Sequence, residues 1–462
     1  MLQTKQLQIY EQLSMAKEQL NEQQPTQQVS VVEPIDPINP VDYFTAFEHE
    51  QTHRMFWKDT TDTTYYVGIG VHKVFQANQD RFATIKNQWK RFLNDIMISD
   101  DVKKETGPLL FGGFSFNENI KGEKWANFKP GQMVLPKMML TVNHDSYYMT
   151  YNVQLSQETD LDLLVSELEG WHDKVQETKE YDANTHSLQS LNSLDYGEWE
   201  KLINEAVETI KRGDLGKVVL ARELNAKFNQ DINISVVLKR LELQQSDSYI
   251  FIFDQGDETF ISATPERLVR VQGRDLLSTC LAGTTGRGQI ESEDDLLAWQ
   301  LLNDEKNLNE HDYVVRMIKD AIEPLSETVD IPEKPVIYPL RALQHLYTPV
   351  TATLKSTTSI FDLIERLHPT PALGGEPRDK AIKYIEEEEP FERGWYAAPI
   401  GWIDHEGNGE FAVAIRSGLI QHDQATLFAG CGIVADSVPD AEFEETKLKF
   451  TPMLDALGGV TR

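Results

Sequence analysis

The sequence near the end of the 462-residue chain reads YAAPIGWID (396–404), FAVAIRSGLI (411–420) and AGCGIVADSVPDAEFEETKLK (429–449). The first two segments are typical of β-strands, and the third predicts a glycine turn followed by a helix. In that helix Glu442, Glu445 and Lys449 are separated by three and four positions, so their side chains share one helix face. The chain is therefore expected to end in strands and a helix that presents charged groups to one side.

A second predicted helix, NDEKNLNEHDYV at 303–314, places Lys306, Glu310 and Val314 at helical spacing. Two helices that each turn a carboxylate inward suit a divalent cation, because a hard cation prefers oxygen ligands. Mg²⁺ usually takes only one or two of those ligands from the protein. The residues alone therefore indicate a candidate Mg²⁺ site between the two helices.

Arg416 is a candidate ligand-binding residue. In the strand predicted from FAVAIRSG it shares one face with Ala412, Ala414 and Gly418, which leave space above the sheet. The guanidinium fork matches a carboxylate, so an anionic ligand fits there. A salt bridge inside a cleft is the alternative interpretation.

Lys217 and Glu266 are candidates for acid–base chemistry. Lys217 is the first residue of the predicted strand KVVLAREL. If it is buried, its pKa falls and it can serve as a base; the alternative is a lysine that is merely solvated at the exposed end of the strand. Glu266 follows a proline in FISATPERL and lies either at a strand end or in the first turn of a helix. The glycine-rich segment LAGTTGRG (281–288) can present backbone amides to an anion, although it lacks the Walker A ending and the dinucleotide-binding pattern.

Composition narrows the classes of function. The formal net charge of −30 disfavours nucleic acid as a partner, and it requires local cations wherever a small anionic substrate binds. The two cysteines, Cys280 and Cys431, lack the spacing of a disulfide scaffold or a zinc site and are predicted to be small buried thiols. The run EEEE at 386–389 predicts a solvated face. Without a long apolar run or a secretory signal pattern, the chain is expected to be cytoplasmic.

Three regions are predicted along the chain: an N-terminal helix and flexible linker at 1–40, a strand-rich part at 41–190, and a region holding the candidate catalytic residues at 191–462. The polar stretch at 178–190 is a second linker candidate. Apolar residues from Trp199 to Ile210 recur at helical spacing, and Gly213 is placed to end that helix. Helices and strands then mix without strict alternation, which favours one large α+β unit with outer strands from the N-terminal third.

From Glu198 to Gly459 the chain carries, in order, GKVVLAR, ATPERL, LAGTTGRG, DEKNLNEH, HPTPALGGEP, YAAPIGWID, AIRSG, GCGIVADSVP and EFEETKLK. Taken together, these segments resemble the chorismate-utilising enzymes, the family of anthranilate, aminodeoxychorismate, salicylate and isochorismate synthases. The resemblance implies a large single catalytic unit in which layered sheets are flanked by helices. The first 190 residues match the family only loosely.

Two positions separate the members of this family. Anthranilate synthases have glutamine where this chain has Lys217, and isochorismate and salicylate synthases have lysine there. Aminodeoxychorismate synthases carry a lysine in the motif PIKGT, and the corresponding segment CLAGT has Ala282. The resemblance therefore implies water as the nucleophile, and HPTPALGG and GCGIVADS are most similar to isochorismate synthases.

For an isochorismate synthase the resemblance implies a defined set of roles. The ring carboxylate of chorismate binds Mg²⁺ that is held by Glu310 and Glu445. Glu442 supports the site, either by contacting the metal through water or by contacting the residues that bind it. Lys217 is the general base that activates water to attack C2, and Glu266 is the general acid that protonates the departing C4 hydroxyl on the opposite ring face. The implied substrate contacts are carboxylate clamps at Tyr396, Arg416, Gly430, Gly432 and Lys449, and ring or hydroxyl contacts at Gly283 and Thr284.

Alternatives to this reading stay open. A salicylate synthase would share these residues and would go on to eliminate pyruvate in the same pocket. A non-catalytic chorismate-binding subunit is disfavoured because Lys217 and Glu266 are both present. Lys217 also disfavours an ammonia-using synthase, so no glutamine amidotransferase partner is expected and the chain is expected to be a monomer. The product would feed either menaquinone or siderophore biosynthesis. Relatives often have aspartate where this chain has Asn307. The missing charge is expected either to weaken Mg²⁺ binding or to leave more of the coordination to water.

Overall fold

The computed structural model describes residues 2–99, 102–103, 105–120, 122–176, 186–339 and 343–459. Its helices are α1 (Leu2–Glu18), α2 (Pro40–Thr45), α3 (Arg81–Asp95), α4 (Leu161–Gln176), α5 (Tyr196–Lys211), α6 (Ile234–Gln244), α7 (Glu291–Leu302), α8 (Glu305–Ile322), α9 (Ile360–Leu367), α10 (Arg378–Glu388) and α11 (Pro439–Ala456). Its strands are β1 (Thr26–Pro34), β2 (Arg54–Lys58), β3 (Thr64–Ile69), β4 (Lys73–Ala77), β5 (Ile96–Ile98), β6 (Leu109–Phe114), β7 (Gly131–Leu135), β8 (Met138–Asn143), β9 (Ser146–Ser156), β10 (Leu188–Ser193), β11 (Lys217–Phe228), β12 (Tyr249–Asp254), β13 (Glu258–Thr264), β14 (Arg267–Gln272), β15 (Asp275–Gly286), β16 (Ser326–Asp330), β17 (Val336–Pro339), β18 (Leu343–Leu354), β19 (Gly375–Glu376), β20 (Pro399–Asp404), β21 (Gly409–Val413), β22 (Ser417–Gln421) and β23 (Gln424–Ile433). No helix in these ranges combines the length and the apolar character that crossing a bilayer requires.

The strands join two large sheets. Sheet A has the strand order β10-β11-β23-β22-β13-β12-β2-β3-β8-β9-β1-β5, and β19 pairs with part of β11. Sheet B has the order β16-β18-β15-β14-β21-β20-β6-β7-β4, and β17 pairs with β18. Strands from the N-terminal third lie toward one end of each sheet. Helices cover the sheets, so the α+β class with layered sheets flanked by helices is confirmed.

The strand β12 shows how the layers pack. Tyr249 and Phe251 belong to a core between the two sheets, where the Phe251 ring stacks on Phe111 of sheet B at 5.0 Å. Ile250 and Ile252 belong to a second core on the other face of sheet A, shared with α1, α2, α4, α6 and α11. A strand buried on both faces cannot alternate apolar and polar residues, so YIFIFD is a continuous hydrophobic run.

Two of the places where the chain crosses between the sheets are neighbours in space. The first crossing joins β13 of sheet A to β14 of sheet B, and the second joins β21 of sheet B to β22 of sheet A. The Val413 amide donates to the Glu266 carbonyl at 3.0 Å. The Ala263 amide donates to the Arg416 carbonyl at 3.1 Å. Glu266 and Arg416 therefore lie side by side at the junction of the two sheets.

The predicted linker within residues 1–40 is wrong over Thr26–Pro34. These residues form β1, which pairs with β9 over its whole length and also with β5. The side chains of Val29 and Val31 are buried in the helix-covered core, and the glutamines beside them hide this pattern in the sequence. The second linker candidate, 178–190, lies mostly outside the described residues, and its last residues belong to β10.

Two local predictions are confirmed. The predicted amphipathic helix is α5, whose buried side chains are Trp199, Leu202, Ile203, Ala206, Val207 and Ile210. Gly213 follows it at φ 83°, a left-handed conformation that glycine adopts without steric cost. The segment KVVLAREL lies in β11, as its sequence predicts.

A buried ion pair closes one edge of β11. Glu389 and Arg393 are both buried, and Arg393 Nε lies 2.8 Å from Glu389 Oε2. The Ala221 amide donates to Glu389 Oε1 at 2.8 Å, and Arg393 Nη2 donates to the Val219 carbonyl at 2.8 Å. The predicted solvated face at 386–389 is therefore wrong at Glu389, because this side chain takes the place of a strand beside β11.

This buried pair generates a prediction about stability. Glu389→Gln is expected to lower the free energy of unfolding by about 3–5 kcal/mol, because it leaves the Arg393 charge buried without its partner. The matched control is Glu387→Gln, whose carboxylate is exposed and pairs with Lys383 at 3.6 Å. Unfolding in guanidinium chloride measures both variants, and equal losses in the two would contradict the prediction.

Candidate active site

A gap in sheet A lies beside β23. This strand pairs with β11 as far as Ile433, but β22 covers its other edge only up to Phe428. No strand in the described residues covers that edge from residue 429 to 433. The glycine turn predicted here is wrong, because pairing with β11 keeps these residues extended.

Gly430 and Gly432 direct their backbone groups into this gap. Their partners on β11, Ala221 and Val219, donate their amides to the far side, to Glu389 and to the segment before β19. Antiparallel pairs of this kind exchange no ladder hydrogen bonds, so the N–H and C=O groups of both glycines point away from β11. Two adjacent amides at an open strand edge suit an anion.

Steric constraints also favour glycine at these two positions. A Cβ at Gly432 would lie 2.7 Å from Lys217 Cε, and a Cβ at Gly430 would lie 2.9 Å from the Tyr396 hydroxyl oxygen. The Tyr396 ring is buried and stacks on Phe428 at 5.3 Å. Burial raises the pKa of Tyr396 far above neutrality, so its hydroxyl keeps its proton and can donate. The glycines thus admit a lysine and a tyrosine hydroxyl to the gap.

Two lysine–glutamate pairs flank the gap. Lys217, the first residue of β11, places Nζ 2.7 Å from Glu310 Oε1 of α8. Lys449 of α11 places Nζ 2.6 Å from Glu445 Oε1 and donates to the Gly430 carbonyl at 2.8 Å. The Lys217 side chain is only 17% exposed, which disfavours a merely solvated lysine. Each of the two carboxylates expected to hold the metal thus binds an ammonium group.

Glu266 lies at the sheet junction, in a short link between β13 and β14 rather than in a helix. Burial raises the pKa of its carboxyl group from 4.5 to about 7, although Arg416, Lys449 and Lys217 each lower it. The carboxyl group is thus partly protonated near neutral pH, within electrostatic reach of three cations. Such a group can donate a proton in a reaction and recover it afterwards.

Arg416 has a left-handed backbone with φ 49°. The chain turns there between β21 and β22, so the strand face predicted for Ala412, Ala414 and Arg416 does not form. Alternation of residue types gives no signal for a positive φ, which is why the sequence misses this turn. A non-glycine residue in this conformation stores about 1–3 kcal/mol of strain, and such residues concentrate at functional sites.

Gly283 and Thr284 lie in a bulge of β15, where the pairing with β18 shifts between Leu281 and Thr284. Gly283 has φ 80°, and a Cβ there would lie 3.3 Å from Asn307 Oδ1 of α8. Thr284 Oγ1 lies 2.9 Å from His345 Nδ1 of β18. The glycine-rich segment is therefore a strand with a bulge that α8 approaches closely, and not the loop that its composition suggests.

His345 is a residue of the site that the sequence does not reveal. Burial, and then the charges of Arg416 and Lys449, lower its pKa to about 4, so the imidazole is neutral near pH 7. It therefore lies close to two of the cations that act on Glu266. A single histidine in QHLYTPV forms no motif, and only the pairing of β18 with β15 brings it beside Thr284.

The carboxylates suit Mg²⁺ in their chemistry. Glu310 and Glu445 offer hard oxygen ligands, and Glu442 is a more buried neighbour, where burial raises its pKa and hydrogen bonds with Ser437 and Cys431 lower it. The described ranges contain no group of three or more histidine, cysteine, aspartate or glutamate side chains arranged to hold a metal ion. Mg²⁺ commonly binds one or two carboxylates together with water and substrate oxygens, so two are enough. The donor set fits the ion, and lysines hold both carboxylates in this conformation.

These features define a class of enzyme. The charges of Arg416, Lys449 and Lys217 all act on one carboxyl group, that of Glu266, inside a chain of net charge −30. Such a local concentration of positive charge suits a small substrate that carries carboxylates. A carboxyl group whose pKa lies near neutrality, within electrostatic reach of a lysine, suits proton transfer. The fold and the site therefore indicate an α+β enzyme whose site suits a small anionic molecule and proton transfer.

Comparisons with known proteins identify the family. The chorismate binding enzyme family matches residues 12–458 of the chain. Isochorismate synthase MenF of Bacillus subtilis is 45% identical over 420 residues, which cover 89% of each chain. The salicylate biosynthesis isochorismate synthase of Pseudomonas aeruginosa is 35% identical over 421 residues, which cover 90% of this chain and 87% of that one. The chain therefore belongs to the chorismate binding enzymes.

Solved structures of similar proteins share the fold. MenF, the menaquinone-specific isochorismate synthase from Escherichia coli, matches with a TM-score of 0.80 at 24% identity, over 98% of this chain and all of that one. Anthranilate synthase component I from Streptococcus pneumoniae matches with a TM-score of 0.66 at 19% identity, over 92% of each chain. The expected family fold is confirmed.

The pKa of Glu266 predicts a stability that depends on pH. Folding raises this pKa from 4.5 to about 7, so the folded state loses the proton at a higher pH than the unfolded state does. The free energy of unfolding therefore falls as the pH rises across that range. Glu266→Gln removes the titrating group. The free energy of unfolding of the variant, relative to that of the wild type, is therefore expected to rise by roughly 1–3 kcal/mol from about pH 5 to about pH 8. Urea unfolding at both pH values measures the gain. A difference that does not change with pH would contradict it, and Glu444→Gln at an exposed position of α11 is the control.

Proposed function

We propose that this chain is an isochorismate synthase, which converts chorismate to isochorismate with the help of Mg²⁺. The observation that carries the proposal is the pair of lysine–glutamate contacts at the gap, Lys217–Glu310 at 2.7 Å and Lys449–Glu445 at 2.6 Å. The Glu266 carboxyl group, whose pKa burial raises to about 7, is within electrostatic reach of both lysines. The site belongs to a chain that is 45% identical, over 89% of its length, to isochorismate synthase MenF of Bacillus subtilis. The local chemistry and the relatives support the same reaction.

The proposed reaction replaces one hydroxyl group of the ring by another. Lys217 takes a proton from water as the water oxygen bonds to C2. The ring double bonds C1–C2 and C5–C6 shift to C1–C6 and C4–C5, and the C4–O bond breaks. Glu266 supplies the proton with which the C4 oxygen leaves as water. One water enters and one leaves, so the product is an isomer of the substrate. To accept the proton, Lys217 has to be a neutral amine that has left Glu310, whose Oε1 lies 2.7 Å from Nζ.

Groups around the gap bind the substrate in this proposal. The carboxylate clamps are Tyr396, Arg416, Gly430, Gly432 and Lys449, and the ring or hydroxyl contacts are Gly283 and Thr284. Charge-assisted hydrogen bonds from such groups are strong, and they offset the repulsion that a chain of net charge −30 exerts on an anion. The proposed Mg²⁺ ligands are Glu310 and Glu445, supported by Glu442. When bound, Mg²⁺ neutralises the ring carboxylate.

We assign the product to menaquinone biosynthesis. The chain is 45% identical to MenF of Bacillus subtilis and 34% identical, over 264 residues, to isochorismate synthase DhbC of the same organism. Among the solved relatives, MenF of Escherichia coli is described as menaquinone-specific. The enzyme acts in the cytoplasm as a monomer. It needs no glutamine amidotransferase, because water rather than ammonia is the nucleophile.

A product analysis tests the proposal. The protein is incubated with chorismate and Mg²⁺, with and without ammonium, and the mixture is separated by chromatography with mass detection. An isomer of unchanged mass, absent when Mg²⁺ is chelated, is the expected product. Salicylate with pyruvate would indicate a salicylate synthase, and an aminated product would contradict the role of Lys217. No turnover would favour a non-catalytic chorismate-binding subunit.

Single substitutions test the two catalytic roles. Lys217→Ala and Glu266→Gln are each expected to lower kcat/KM by about 100- to 10 000-fold, because each removes one proton-transfer group. Lys227→Ala is the matched control, since Lys227 also lies in β11 and pairs with Asp423 at the other end of the strand. Circular dichroism checks that each variant is folded. A folded variant of Lys217 or Glu266 with nearly full activity would rule out its assigned role.

A further inference from the structure

We propose that Lys217 competes with the divalent cation for Glu310. In the metal-free protein the ammonium group holds this carboxylate, and it gives the carboxylate up when the metal binds. The inference rests on the proposed Mg²⁺ site and adds a function for the ion pair. The lysine that serves as the base is kept on Glu310 until the site is loaded.

The backbone fixes Lys217 where Glu310 is within its reach. Lys217 pairs with Glu376 of β19, and the preceding Gly216 amide donates to the Glu376 carbonyl at 2.8 Å. Gly432 lies against the lysine stem, so close that a Cβ there would be 2.7 Å from Lys217 Cε. Within the described part of the chain, the bond to Glu310 at 2.7 Å is the hydrogen bond that the ammonium group makes.

Glu310 is the more accessible partner of this pair. Its side chain is 42% exposed, whereas that of Lys217 is 17% exposed. A hydrated cation can therefore approach the carboxylate from solvent while the lysine occupies the inner side. Both positive groups bind the same carboxylate, of which Lys217 contacts Oε1, and two positive charges at contact distance repel each other. Occupation of Glu310 by one therefore disfavours the other.

The second pair behaves differently because of its geometry. Lys449 contacts Glu445 at 2.6 Å and also donates to the Gly430 carbonyl at 2.8 Å. When Glu445 binds a metal, Lys449 keeps a hydrogen-bond partner in the gap. When Glu310 does so, Lys217 keeps none among the described residues, although it is within electrostatic reach of Glu266. Loss of the Glu310 contact thus frees Lys217 in particular, at the place where the reaction is proposed.

Metal binding without substrate tests the proposal. Mn²⁺ is titrated into the protein in the absence of chorismate while the electron paramagnetic resonance signal of the free ion is recorded, and Mg²⁺ is measured by its displacement of Mn²⁺. The test variant is Lys217→Met, which removes both the charge and the hydrogen bond. The matched control is Lys306→Met, which changes the net charge equally and lies on the same helix as Glu310. Its lysine pairs with Asp436 at 3.2 Å instead.

Lys217→Met is expected to bind the ion about 5-fold more tightly than the wild type, as expected for about 1 kcal/mol from a partly exposed ion pair. Lys306→Met is expected to stay close to the wild type. Adding Glu310→Gln to Lys217→Met should remove the gain. Equal affinities in wild type and Lys217→Met, an equal gain in both lysine variants, or no binding by any of them would overturn the proposal. Isochorismate formation by the wild type is scored separately, so that a failure of the proposed function is distinguishable from a failure of this inference.

Discussion

The geometry of the site depends on the direction in which β11 sends its backbone hydrogen bonds. Val219 and Ala221 bond outward, to the buried Glu389–Arg393 pair and the segment before β19, and not toward β23. For this reason the opposite glycines of β23 have their amides free for the gap. If the pairing of β23 with β11 shifted by one residue, the N–H groups of Gly430 and Gly432 would point toward β11 and no longer into the gap. A charged pair buried on one side of a strand thus sets the chemistry available on the other side.

Opposing electrostatic effects of similar size meet at Glu266. Burial disfavours its charged form, three nearby cations favour it, and burial prevails, so that the pKa is raised to about 7. A site with fewer cations would hold the carboxyl group permanently protonated, and an exposed site would leave it ionised. The same balance explains why a chain of net charge −30 concentrates arginine and lysine here. The cations bind the anionic ligand and also keep the acid within its working range.

The sequence predicts the features that depend on residues close together in the chain. The stripe of α5, the strand KVVLAREL and the helical spacing of Glu445 and Lys449 follow from periodicity, and the structure agrees with all three. The errors concern long-range pairing. Gly430 and Gly432 lie in a strand only because β11 pairs with them, β1 forms only because β9 does, and Glu389 is buried only because β11 lacks a neighbour there. Arg416 requires a positive φ that residue type does not encode, and His345 reaches the site through strand pairing alone. The roles expected for the catalytic residues remain predictions, although the structure gathers their side chains around one gap.

One continuous segment carries two parts of the candidate site. The glycine amides lie on β23, the side chains of Glu442, Glu445 and Lys449 lie on α11, and residues 434–438 alone join the two elements. Residues 434–438 form a turn, in which the Val434 amide donates to Ser437 Oγ and the Ser437 amide donates to the Val434 carbonyl, both at 3.1 Å. Ser437 also hydrogen bonds with the Glu442 side chain, and Asp436 pairs with Lys306 of α8 at 3.2 Å. The connection therefore acts as a bracket between β23, α11 and α8, and its composition is itself a determinant of the site.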